Sequence, residues 1–151
     1  MPALYIAYYA RTPTQKNPGR YHTALIALPL PKSIIPFFTY SLSLPATKYH
    51  VVNVPVLDET GKGRVSWQFR VERDAAAAKA TSLRLKLIAL MSVGVIEEEQ
   101  TLEEVVRSVD VPKYADERPE WRCTTWVFEA LKVRFPSSLL IYIHSCQLGH
   151  A

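Results

Sequence analysis

The sequence predicts an α+β fold, an antiparallel sheet packed against helices, on two observations. Short apolar segments rich in aromatic and β-branched residues, divided by turn residues, fill the first 71 positions. Helical spacing and helix start and stop signals gather after residue 74. At 151 residues the chain reads as a single domain spanning 1–151, long enough to close one core. Hydrophobic content of 48%, charged content of 21% and mean hydropathy of -0.01 exclude wholesale disorder, collagen-like repeats and a multi-span membrane protein.

The first strand is Leu4 to Ala10, followed by a loop marked by Pro13, Asn17, Pro18 and Gly19. The second, Tyr21 to Leu28, puts His22, Ala24, Ile26 and Leu28 on one face and Tyr21, Thr23, Leu25 and Ala27 on the other. Apolar residues on both faces mark it as central. Pro29, Pro31, Pro36 and Pro45 then punctuate a segment with no period of 2 or 3.6. Tyr49 to Val54 is the third strand, and the turn from Asp58 to Gly63 leads to a fourth, Ser66 to Val71, with Trp67, Phe69 and Val71 facing the core. From Asp74, four alanines and the spacing of Leu83, Leu87 and Leu90 predict a helix centred near residue 85 and capped by Gly94. Thr101 to Glu104 matches a capping box, and Leu102, Val105, Val106 and Val109 form the stripe of a second helix that stops before Pro112. A third helix, centred near residue 129, runs from Cys123 to about Phe135, with Cys123, Val127, Ala130 and Leu131 on its inward face. Residues 136–151 form a tail without an organised motif.

Charge is distributed unevenly about a net +4 and a pI near 9.1. Residues 1–86 carry 12 Lys and Arg against 4 Asp and Glu, a surplus of +8, whereas residues 87–151 carry 6 against 10, a deficit of -4. The basic residues are spaced singly and form no dense stripe, so no nucleic-acid partner is expected. No apolar run is long enough to span a membrane. The opening residues lack the basic region and cleavage site of a secretion signal, and two cysteines do not make a disulfide scaffold, so cytoplasmic residence is the default.

One constellation points to chemistry. A helix N-terminus supplies partial positive charge and free N–H groups, which favour a thiolate and offer an oxyanion site, and Cys123 sits in such a first turn. His22 is the candidate base. The structural alternatives are that Cys123 is a small buried hydrophobe and His22 a strand residue satisfied by a carbonyl.

Tyr21-His22-Thr23-Ala24-Leu25, Tyr49-His50-Val51-Val52-Asn53, Trp67-Gln68-Phe69, the stretch Leu102 to Pro112 and above all Trp121-Arg122-Cys123-Thr124-Thr125-Trp126-Val127 resemble an uncharacterised fungal family. Its pattern runs YHWALL, YHVxN, WxxE and WNCxxWVxxAL, and the resemblance covers residues 20–135. That family is similar in turn to circularly permuted relatives of the papain and NlpC-type cysteine hydrolases, as in lecithin retinol acyltransferase (LRAT) and the PPPDE peptidases, in which His precedes Cys. The resemblance implies an NlpC/LRAT-like, permuted papain-like architecture with Cys123 as nucleophile and His22 as general base and then acid. A third polar residue orients the imidazole, His50 or, in the manner of papain, Asn53; the order His, His, Cys favours His50. Departures flank the site: Arg122 stands where the pattern has Asn, and the Pro-rich Lys32 to Ala46 replaces a short connection.

The expected function is a cysteine-dependent acyl hydrolase or acyltransferase acting on an amide, ester or thioester, without a cofactor, with Trp121, Arg122 and Trp126 at the substrate. The alternative is a non-catalytic module on the same fold that binds a small molecule or protein. In that reading Trp67, Trp121 and Trp126 line an apolar pocket, and Ile34 to Phe38 is a candidate interface or homodimer contact. His144, Cys146 and His150 suggest a metal clip but lack a defined fourth ligand, so no metal is expected. Glu97 to Glu99 reads as a solvated loop, and no P-loop, dinucleotide fingerprint or G-x-S-x-G elbow occurs.

Overall fold

A computed structural model describes residues 2–10, 21–29, 46–73, 86–96 and 99–134. Five strands, β1 (Pro2–Ala10), β2 (Tyr21–Pro29), β3 (Thr47–Leu57), β4 (Gly63–Glu72) and β5 (Lys86–Val95), precede two helices, α1 (Glu99–Ser108) and α2 (Cys123–Arg134). The strands form one antiparallel sheet in the order β4-β3-β2-β1-β5. The α+β class and the four strands read within residues 4–71 are therefore present, with a fifth added. The β3–β4 hairpin turns where expected: the Asp58 carboxylate accepts from the N–H groups of Thr60 (2.9 Å) and Lys62 (3.0 Å), and Gly61 supplies the positive φ of 77°.

Alternation along the strands divides the residues between two faces. Leu4, Ile6, Leu25, Ala27, Tyr49, Val51 and Trp67 share a core with Leu102, Val106, Cys123, Trp126 and Leu131 of the helices. The opposite face buries Ala3, Tyr5, Ala7, Tyr9, Ala24, Ile26 and Leu28. Both faces of β2 are thus covered, as its two-sided apolar pattern requires.

The helix predicted to end at Gly94 is corrected: residues 86–95 are β5, paired with β1, while the expected start at 74–85 lies outside the described residues. The register skips twice, so that Ile88 and Val93 are extra residues in β5. An extra residue reverses which face the next side chain takes, and Leu87 and Leu90, three apart, consequently pack against the same cluster. In sequence that spacing imitates a helix. Pairing satisfies the outer N–H and C=O groups of β1, a demand that outweighs local helix propensity. Gly94 is no helix cap; it sits in the strand with φ 154°.

Helix α1 begins at Glu99, so Thr101 lies inside it and is not its N-cap, and Glu99 is helical, not loop. Its apolar stripe holds: Leu102, Val106 and Val109 are buried. Helix α2 starts at Cys123 as expected. Its first turn is closed by Trp126 N–H to the Arg122 carbonyl (3.0 Å), while Arg122 N–H donates to Thr125 Oγ1 (3.2 Å). Among the described residues no helix is long and apolar enough to cross a membrane. The readings made for the Pro-rich segment before Ala46, including Ile34 to Phe38, and for His144, Cys146 and His150 lie outside the described residues.

Candidate functional site

Strand β2 pairs with β3 only at Leu25–Tyr49, Ile26–Lys48 and Ala27–Thr47. Beyond Leu25 the first residues of β2 have β1 on one side and, among the described residues, no paired strand on the other. The N-terminus of α2 reaches this opening. Cys123 Sγ accepts a hydrogen bond from Thr23 N–H at 3.5 Å, and Thr124 Oγ1 lies 3.0 Å from Thr23 Oγ1. A strand N–H lies in the plane of its sheet, so the thiol sits at the edge of β2, beside the peptide group that joins His22 to Thr23.

His22 leaves β2 on the face opposite Leu25 and lies across from Tyr9 of β1. Its Nε2 is 2.9 Å from His50 Nδ1, with the rings edge to face at 5.1 Å between centroids. His50 Nε2 in turn is 2.9 Å from Glu72 Oε1, and Glu72 Oε2 is 2.6 Å from Lys48 Nζ. His22, His50 and Lys48 are all buried, whereas the Glu72 side chain is 39% exposed. The cross-strand register builds this cluster: Lys48 faces Glu72, and His50 is one step further along the same face of β3.

Burial, then the charges of Lys48 and Arg70, lowers the His50 pKa to about 3, so its imidazole is neutral. The Glu72 contact misses the alignment of a hydrogen bond, leaving Nε2 with an electrostatic partner only. A neutral ring facing a carboxylate places its proton on Nε2 and its lone pair on Nδ1. Nδ1 then accepts from His22 Nε2–H, which leaves His22 with its basic lone pair on Nδ1. Burial, followed by the Glu72 charge, pushes the Tyr9 phenol above its ordinary range and keeps it protonated.

The structure therefore brings His22 and His50 together and places Cys123 beside the His22 peptide. Asn53 is elsewhere, opposite Trp67 and in the wall of a surface pocket of about 460 Å³. The three expected substrate residues diverge. Arg122 lines that pocket, but Trp126 is fully buried and Trp121 is 4% exposed, packed edge to face on Trp67 at 5.0 Å and donating its indole N–H to Glu129. Trp126 is in the core because α2 turns it onto the sheet, and Trp121, just before α2, because it packs on Trp67. Thr23, Thr124, Lys48 and Glu72 were not singled out from the sequence. The pair Lys48 and Glu72 left a faint signal, opposite charges on two strands joined by a short hairpin, but only the register makes them face each other. Among the described residues no group of His, Cys, Asp and Glu is arranged to hold a metal ion.

These features define a class: an α+β protein in which a helix N-terminal cysteine meets a five-stranded antiparallel sheet next to a buried histidine pair. The chain belongs to a family of unknown function, DUF6914, whose model matches residues 2–136. No curated protein and no solved structure matches it.

Proposed function

We propose that this protein is a cysteine-dependent acyl hydrolase or acyltransferase in a permuted papain-like arrangement, with Cys123 as nucleophile, His22 as base and His50 as orienter. The observation that carries the reading is the 3.5 Å contact from Thr23 N–H to Cys123 Sγ, which holds the thiol beside the residue whose imidazole is already oriented by His50. His22 Nδ1 takes the thiol proton as sulfur bonds to the carbonyl carbon of an amide, ester or thioester. The carbon–heteroatom bond then breaks, and His22 returns the proton to the leaving group. Water, an amine or an alcohol attacks the resulting thioester, His22 receives its proton, and the carbon–sulfur bond breaks to restore the thiol. Charge on the carbonyl oxygen is met by N–H groups at the α2 N-terminus.

Glu72 and Lys48 act one step further out. The carboxylate holds the proton of His50 on Nε2, and the ammonium holds the carboxylate. p-Nitrophenyl acetate tests the reading: a burst of p-nitrophenolate with an acetyl thioester on Cys123, located by mass spectrometry, is expected. Release no faster than in buffer, with no Cys123 adduct, contradicts it.

A second reading is favoured by one observation. Cys123 is only 4% exposed and belongs to the apolar core, as a structural cysteine in a non-catalytic binding module does. That module predicts an unmodified Cys123 in the same experiment.

A further inference from the structure

We infer that the pocket beside the N-terminus of α2 binds the anionic group, a carboxylate or a phosphate, of this protein's ligand. It holds about 460 Å³ and is walled by Asn53, Lys62, Arg64, Trp67, Asp116 and Arg122. The wall is rich in hydrogen-bond donors and poor in acceptors. Arg64 is already compensated: its guanidinium donates to Asp116 at 2.5 Å and stacks on Tyr114 at 3.6 Å. Arg64 in turn holds the Asp116 carboxyl below its usual range. Among the described residues neither Lys62 nor Arg122 forms an ion pair, and Lys62 shares the Asp116 carboxylate with Arg64 only through space, so the wall carries a net positive charge.

Two details separate this pocket from an ordinary solvated patch. Arg122 is fixed in place, its guanidinium donating to the carbonyls of Trp121 at 2.7 Å and of Pro119, so a planar donor group is held rigidly at the wall. Trp67 is 7% exposed and its Nε1, a group that can only donate, is buried without a hydrogen-bond partner among the described residues. The Asp58 turn fixes the backbone of Lys62, whose N–H donates to the Asp58 carboxylate, and leaves its ammonium exposed at the rim. Two cations in one wall, one of them held rigidly, call for a compact oxyanion with several lone pairs.

The anion site stands on this lining alone. Its assignment as the subsite for the acidic end of an acyl substrate rests on the cysteine reading, since Arg122 immediately precedes Cys123 in the chain. The full chain carrying Cys123→Ser separates the two. Titration with sodium malonate and with inorganic phosphate, each against sodium chloride at equal ionic strength, is followed by tryptophan fluorescence. Saturable binding of one or both anions is expected, weakened about tenfold or more by Lys62→Gln or Arg122→Gln, with protection of Arg122 from phenylglyoxal. Malonate alone identifies a carboxylate site and phosphate alone a phosphate site. A response equal to that of chloride, or one unchanged in Lys62→Gln, overturns the proposal. Specific anion binding in a protein whose wild-type Cys123 takes no acyl group leaves the site standing and overturns only its assignment to acyl chemistry.

Discussion

The two faces of the sheet are both buried, yet they are built on opposite principles. The face under the helices is apolar: Trp126, Leu102, Val106 and Leu131 interlock with Leu25, Tyr49 and Val51, and the Cys123 thiol lies among them. The other face joins alanine and aliphatic residues to a polar cluster of Tyr9, His22, His50, Lys48 and Glu72. Apolar packing tolerates many substitutions of equal volume, whereas a buried polar cluster requires every partner to be present. The difference teaches where stability and chemistry reside. The helix face holds the larger apolar core and the Cys123 thiol; the polar face holds the buried His22 and His50. They approach one another only at the edge of β2, where β3 no longer pairs.

The comparison breaks first if the helix face proves unimportant for stability. Trp126 is fully exposed to packing and not at all to solvent, so Trp126→Ala is expected to cost about 3–5 kcal/mol in urea unfolding. On the polar face, Glu72→Gln leaves the buried Lys48 ammonium without its carboxylate. Because Glu72 is itself 39% exposed, solvent screening moderates the loss, which should be about 1–3 kcal/mol. The double variant Lys48→Met with Glu72→Gln should recover most of it, which a purely apolar contact would not predict.

The smallest effect sharpens the contrast through pH. His50 has a pKa of about 3 when folded against 6.5 in an unfolded chain. Between those values the unfolded chain holds a proton that the folded chain lacks, so stability rises with pH. The contribution is fully present above pH 6.5 and is lost as pH falls toward 3. Urea midpoints measured from pH 6.5 down to 5, above the range where most carboxylates titrate, should fall with a His50 component of at most about 1.4 kcal/mol per pH unit. His50→Gln should flatten that slope. An unchanged slope would show that the His50 ring is not neutral in the fold.

Much of this division was legible in the sequence. Two-sided burial of β2 followed from apolar residues at both parities, and the position of Cys123 in the first turn of α2 followed from the spacing of Val127, Ala130 and Leu131. Strand β5 was not legible, because its two extra residues give Leu87 and Leu90 a helical spacing. The choice between His50 and Asn53 needed the resemblance, since alternation only placed them on opposite faces; the structure puts His50 at His22 and Asn53 in the pocket wall. Trp121 and Trp126, expected at the substrate from their closeness to Cys123 in sequence, are buried in the core, a placement that proximity in sequence does not encode. The partnership of Lys48 with Glu72 depends on register, which no local pattern encodes.

The most direct measurement is the pH profile of Cys123 alkylation in a Cys146→Ser protein, with each rate divided by its own limiting value at high pH so that burial of the thiol cancels. If His22 takes the thiol proton as proposed, the iodoacetamide rate at pH 6 should remain within about threefold of that at pH 8, and His22→Ala should remove most of this low-pH reactivity. A rate that falls about tenfold for each pH unit below 8, identical in the wild type and in His22→Ala, would contradict the account and leave Cys123 as a core residue.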